Sequence, residues 1–201
     1  LPDVMILVDS LTLRVKAEIR PVFYYGRYRK LAKDVPQTRW PCSSCKGYGC
    51  NKCNDTGQLY PDSVQSLVAA SFIGASQCKE DLFHGMGRED IDAAMLGSGR
   101  PFVIELRMPK IRQIDLNEIE IDINTKYESR IRVTNLKFVE RSRVAELKNT
   151  VCDKTYRVDV SVIGSDSIES LKKGAQRLTG TVIEQRTPTR VSHRRADLIR
   201  P

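Results

Sequence analysis

Apolar residues near the start of the chain cluster and then alternate. Residues 3–8 (Asp-Val-Met-Ile-Leu-Val) form a short apolar run that predicts a buried strand. Leu13, Val15, Ala17 and Ile19 fall on alternate positions and predict a second strand over 12–25, broken near Pro21. Asp62-Ser63 reads as a helix start, with Val64, Leu67, Val68 and Phe72 on one face behind it. Residues 84–100 hold four glycines among charges and read as a loop, followed by a strand over 102–106. Between 115 and 126, Ile114, Leu116, Ile119, Ile121 and Ile123 suit a helix or a strand, and the pattern leaves both open. Alternation predicts strands over 131–139, 155–163 and 181–185. An amphipathic helix is predicted over 167–178, capped by Asp166 or Ser167 and closed by Gly180. Strands and helices mix without a regular βαβ rhythm. The expected fold class is α+β.

Four cysteines interrupt this pattern. Cys42, Cys45, Cys50 and Cys53 are spaced C-x2-C-x4-C-x2-C, and 41–56 reads as a loop inserted between a strand and a helix. Thiolates at this spacing suit tetrahedral zinc, each C-x-x-C forming a knuckle whose backbone amides face sulfur. Gly47 and Gly49 let the chain turn back so that the knuckles meet. With four cysteine ligands no coordination position stays open, so the metal is expected to be structural. A redox dithiol and plain free thiols are the other readings of the same spacing. Cys78 and Cys152 stand apart and are expected to be free and mostly buried.

The chain has 201 residues and a net charge of +8, enough length for one large domain or two small ones. Its 40% hydrophobic and 29% charged residues exclude a disordered or membrane-embedded class. It starts at Leu1 without a leader pattern and is expected to be a piece of a longer chain. Clustered cysteines of this kind predict a reducing compartment, the cytoplasm. The positive excess predicts an acidic polymer as partner, nucleic acid first. No apolar run approaches the ~18–20 residues of a membrane span, so no membrane is expected, and the protein is expected to be a monomer.

Two segments concentrate that charge. Arg20, Arg27, Arg29, Lys30, Lys33 and Arg39 lie among Tyr24, Tyr25, Tyr28 and Trp40. Guanidinium groups could grip phosphates there while rings stack on unpaired bases. The competing reading turns the aromatics into the core. Near the other end, Arg190, His193, Arg194 and Arg195 repeat the basic theme. Arg27, Arg29, Lys30, Arg190, Arg194 and Arg195 are the expected phosphate contacts. His193 reads as a hydrogen-bonding or RNA-contact residue, and His84 has no partner that the sequence identifies.

Gly87-Arg88-Glu89-Asp90-Ile91-Asp92 and Leu96-Gly-Ser-Gly-Arg100-Pro-Phe102 form a further pattern, as do Gly26-Arg-Tyr-Arg-Lys30, Pro36-Gln-Thr-Arg-Trp40, Lys154-Thr-Tyr156 and the segment from Arg186 to Arg195. In this order they resemble the archaeal and eukaryotic family of tRNA pseudouridine synthases that act on the T loop, at positions 54 and 55. The resemblance covers about 19–200 and implies a mixed, largely antiparallel sheet with flanking helices, the cysteine loop projecting from it. It implies that Asp90 is the catalytic aspartate and that no cofactor takes part in the chemistry. It implies that Arg88 props the gap left by the flipped nucleotide or fixes the aspartate. Tyr156 would stack on the extruded base, with Lys154, Arg27, Arg190, His193, Arg194 and Arg195 on the tRNA T arm. Asp92 is the rival carboxylate, placed on the same face by period-2 spacing in an extended loop. The resemblance also implies an N-terminal RNA-binding domain and a further C-terminal catalytic stretch that this sequence does not contain. Residues 1–201 are then a partial catalytic domain. The alternative is a zinc-anchored RNA-binding module without catalysis.

Overall fold

The structure, a computed structural model, describes residues 2–161, 167–187 and 199–200. They fall into two compact units, Leu1–Cys152 and Asp153–Pro201. The first is built on a four-stranded antiparallel sheet of order β4-β5-β3-β6, from β3 (Val22–Lys30), β4 (Glu80–Gly85), β5 (Met95–Arg107) and β6 (Ile131–Val139). The α+β class is what the hydrophobic pattern predicts, and the antiparallel sheet with flanking helices is what the resemblance implies.

β3, and β5 from Gly99 to Leu106, are largely buried because both faces of the sheet are covered there. Val22, Tyr24, Tyr28, Phe102, Ile104, Leu106, Ile131 and Val133 pack with α1 (Val64–Ser76) and α2 (Leu116–Lys126) on one side. Phe23, Tyr25 and Val103 pack with Leu147 and Val144 of α3 (Ser142–Asn149) on the other. Tyr24, Tyr25 and Tyr28 therefore belong to the core and are not stacking platforms. Alternation along β3 sends odd and even positions to opposite faces, and each face meets a helix.

α1 starts where the sequence predicts. The Ser63 hydroxyl accepts the Ser66 N–H, and Ser66 Oγ accepts the Ser63 N–H. The ambiguous segment 115–126 is a helix, capped by the Asp115 carboxylate at the N–H groups of Asn117 and Glu118. Ile119 and Ile123, one turn apart, are buried, whereas Ile121 is exposed. Packing against β6 thus selects the helical spacing. α3 has no counterpart in the sequence reading.

Three expectations change. β1 (Val4–Asp9) and β2 (Arg14–Ile19) form a separate two-stranded antiparallel ribbon, and β1 is exposed along its whole length, so it is not the buried strand expected. The segment 84–100 is only partly loop: β4 runs through Gly85, and β5 begins at Met95. No strand forms at 155–161, where Tyr156, Val158 and Val160 are each at least 75% exposed. Alternation alone makes no strand where no partner edge accepts its hydrogen bonds. Residues 162–163 of that predicted strand lie outside the described residues.

In the second unit, α4 (Ile168–Leu178) matches the predicted helix, with Ser167 Oγ accepting the Ser170 N–H. The strand expected over 181–185 reduces to β7 (Gln185–Arg186), paired with β8 (Ile199–Arg200). Among the described residues no helix is long and apolar enough to cross a membrane. Cys78 is buried and free, and Cys152 is free but only half-buried.

Candidate active site and candidate metal centre

The Arg88-Glu89-Asp90 segment lies between β4 and β5, and its three residues face different surroundings. Arg88 and Asp90 are exposed, while the Glu89 side chain is only 4% exposed.

Glu89 is fixed by groups from β3, from β5 and from the loop that follows β3. The Tyr28 hydroxyl donates to its carboxylate at 2.8 Å, and Gln37 Nε2 lies 3.3 Å from Oε2. Arg100 Nε lies 2.8 Å from Oε2, both side chains nearly buried. Arg100 Nη1 also donates to the Met86 carbonyl at 2.6 Å, and Gln37 Nε2 to the Gly87 carbonyl at 3.0 Å and to the Tyr28 hydroxyl oxygen at 2.9 Å. Burial, reinforced by the Glu89 charge, pushes the Tyr28 phenol well above its ordinary range. Tyr28 therefore stays a neutral donor to the carboxylate.

Lys30 holds the next residue. Its ammonium donates to the carbonyls of Val35 at 2.9 Å, Asp90 at 2.9 Å and Ile91 at 3.0 Å, using all three of its protons. Burial lowers its pKa, and the charges of Glu89, Asp90, Asp92 and Asp34 oppose that shift. Lys30 is fully buried, so the expectation that it contacts phosphate is corrected. It anchors the backbone of Asp90 instead. The Ala93 N–H donates back to the Asp90 carbonyl at 3.2 Å, closing a turn. Asp92 therefore sits inside a turn, not one period along an extended loop. The Asp90 carboxylate accepts the Ile91 N–H at 3.0 Å.

Of the other sequence-predicted residues, Arg29 is exposed. Arg27 is half-buried, and its guanidinium donates to the carbonyls of Ser98 and Gly99 and to Ser98 Oγ at 2.8–2.9 Å. Lys154 and Tyr156 are exposed in the second unit. Arg190, His193, Arg194 and Arg195 lie outside the described residues. His84 does have a partner, Glu105, at 3.0 Å. The supporting role of Tyr28, Gln37, Glu89 and Arg100 was not read from the sequence. The signal that could have found them is their place in the segments Gly26–Lys30, Pro36–Trp40, Gly87–Asp92 and Leu96–Phe102, which carry the family resemblance.

The cysteine loop closes as the spacing predicts. The four Sγ atoms lie within 4.8 Å of one another. The closest pairs are 3.7–3.9 Å apart. Tetrahedral zinc with bonds of about 2.3 Å places its sulfurs about 3.8 Å apart. The N–H groups of Gly49, Cys50 and Gly57 point at sulfur at 3.2–3.3 Å, the pattern that stabilises thiolates. Backbone N–H groups of Cys45 and Ser44 draw the Cys42 thiol down to about 6, while burial pushes Cys50 up to about 11. Gly47 and Gly49 adopt positive φ, and a methyl group on Gly57 would run into the Gly47 carbonyl. The donor set and its geometry fit one zinc ion. Elemental analysis of purified protein should return about one zinc per chain. No metal, or a cluster absorbing in the visible, would contradict this site.

A profile of the family described as "Pus10, C-terminal" matches residues 23–201. The protein named tRNA pseudouridine synthase Pus10 of Methanothrix thermoacetophila is 46% identical over 199 residues, covering 99% of this chain and 44% of that protein. Its namesake in Methanocaldococcus jannaschii is 47% identical over 199 residues, 99% of this chain and 43% of that protein. The one in Archaeoglobus fulgidus is 43% identical, covering 99% and 55%. The chain thus spans about half the length of the curated relatives it matches, or slightly less. With the matched profile running through the sheet, the cysteine loop and the Arg88–Asp90 segment, this chain belongs to the Pus10 C-terminal family.

Proposed function

We propose that this chain carries the catalytic aspartate of a tRNA pseudouridine synthase that isomerises uridine in the T loop, at position 54, 55 or both. The observation that supports it most is the pinned loop. Glu89 and Lys30 fix the backbone on which Arg88 and Asp90 reach solvent. The relatives' names supply the reaction and tRNA as its substrate.

The reaction breaks the bond between C1′ of the ribose and N1 of the base. The base turns, C5 bonds to C1′, C5 loses its proton and N1 gains one. The sugar passes through a cationic state, which an adjacent carboxylate can stabilise or attack. Asp90 fills that role without a cofactor. A uridine in the folded T loop must first leave its stack, at a cost of a few kcal/mol. Arg88 would occupy the gap, and Tyr156 would stack on the extruded base. The zinc would hold the cysteine loop and take no part in the bond changes.

The test is pseudouridine mapping by carbodiimide chemistry on a T-loop tRNA transcript, with full-length, zinc-loaded protein. Modification at 54 or 55 supports the reading. Tight tRNA binding without pseudouridine would leave an RNA-binding module.

The same reading fixes how affinity responds to salt. Each phosphate neutralised should contribute about −0.7 to −0.9 to the slope of log affinity against log salt. Arg29→Glu, and the pair Arg194→Glu with Arg195→Glu, should weaken binding for any tRNA alike and flatten that slope. A slope near zero in the unsubstituted protein would contradict a polyanion surface.

A further inference from the structure

Trp40 stands where two differently anchored stretches of chain meet. Just before it, the segment is tied to the core: the Arg39 N–H donates to Gln65 Oε1 at 3.3 Å, and the Arg39 guanidinium pairs with the buried Asp81 carboxylate at 2.8 Å. Just after it, the chain leaves for the cysteine loop. That loop rejoins at a narrow neck, where the Leu59 N–H donates to the Trp40 carbonyl and the Cys42 N–H to the Gly57 carbonyl, both at 2.7 Å. Pro41 and Gln58 pair across the same neck. Most of the loop beyond it is exposed, with Cys42, Cys53 and Gly57 buried. Once past the neck, the loop is organised around its four sulfurs.

The Trp40 ring faces both ways. Tyr60, on the returning side of the neck, meets it edge-on with centroids 5.6 Å apart. The Arg88 guanidinium carbon lies 5.3 Å from the centre of the same ring, within cation–π range. A ring held by the neck of the metal loop thus backs the arginine two residues before Asp90.

We infer that Trp40 is a positioning residue through which metal at Cys42, Cys45, Cys50 and Cys53 fixes the guanidinium of Arg88. Its consequence for tRNA rests on the function proposed above, but the brace itself does not. With metal bound, the neck stays closed and the ring keeps its face toward Arg88. Without metal, the loop is no longer drawn together by its sulfurs, the neck opens and the ring turns freely. Arg88 then loses its platform.

Linkage makes the coupling measurable from either end. If metal favours the stack, the stack favours metal by the same factor. Arg88→Met and Trp40→Leu should each weaken zinc affinity, read by competition with a chromophoric chelator. A cation–π contact of this exposure corresponds to about two- to five-fold. The double variant should lose no more than the single Trp40→Leu variant. Because Trp40 is the only tryptophan of the chain, its fluorescence gives a second readout. In zinc-loaded protein, Arg88→Met should raise acrylamide quenching of Trp40. Zinc affinity unchanged by Arg88→Met, or quenching unchanged in the loaded protein, would overturn the brace. In full-length protein, Arg88→Met and Trp40→Leu should raise the KM for tRNA to similar, non-additive extents. If the zinc linkage holds while loaded, unsubstituted protein makes no pseudouridine, the brace stands and the proposed reaction falls.

Discussion

Asp90→Asn should lower pseudouridine formation by several orders of magnitude in full-length protein while leaving tRNA affinity nearly unchanged. Asparagine keeps the size of the side chain and an oxygen that can accept the Ile91 N–H, which the Asp90 carboxylate accepts at 3.0 Å. The backbone of residue 90 is held through its carbonyl by Lys30, so the loop geometry survives the change. What disappears is the negative charge and the nucleophilic oxygen, needed only as the sugar becomes cationic. Asp92→Asn should cost far less, since Asp92 sits within the turn and one carboxylate suffices. Tyr156→Phe separates two roles. A mild loss assigns Tyr156 to stacking, and a severe one makes its hydroxyl a participant in proton transfer. Tritium release from uridine labelled at C5 reads all three variants. Near-normal rates for Asp90→Asn together with an inactive Asp92→Asn would move the catalytic carboxylate by two residues.

Arg100→Met should destabilise the fold by about 3–5 kcal/mol, because it leaves the Glu89 carboxylate buried without its cation. The two side chains are only 8% and 4% exposed, so water offers little compensation. The Met86 carbonyl also loses its donor. For a unit of this size, such a loss lowers the melting temperature by roughly 10 °C. Adding Glu89→Gln to Arg100→Met removes the stranded charge and should recover part of the loss. Thermal unfolding of the two single variants and the double variant gives the coupling directly. Additive effects would show that Arg100 and Glu89 contribute independently and that the loop is not pinned by their pairing. The Arg88–Asp90 loop should become more open to proteolysis in Arg100→Met, since its buried anchor is the part removed.

Local chemistry made several features legible without a fold. The four-cysteine loop is one, because its ligand spacing and its glycines act within fifteen or so residues and need no distant partner. The α1 start is another, because Ser63 caps its own helix. The order of the Arg-Glu-Asp segment and its companions pointed to the family for the same reason, since a motif is local by construction. Strand alternation carried β6, where Ile131 and Val133 turn into the core, and it marked β2 although that ribbon is mostly exposed.

Other features depended on what lay opposite. Ile119, Ile121 and Ile123 suit two periods, and only the contact with β6 and α1 decided for helix. Tyr24, Tyr25 and Tyr28 could have stacked on bases, but helices on both faces of β3 made them core. Lys30 reads as a surface cation in any sequence window. It is buried because three carbonyls brought together by distant loops replace its hydration. Segment 155–161 alternates as well as any strand, yet a strand exists only where another edge completes its hydrogen bonds. The sequence by itself determined which residues could ligate metal, cap helices and carry charge, because these depend on neighbours along the chain. Which charges are buried as supports and which reach solvent was decided by tertiary structure alone, because burial is set by residues far apart in sequence: Glu89 lies inside and Asp90 outside because Tyr28, Gln37 and Arg100 converge beneath one of them.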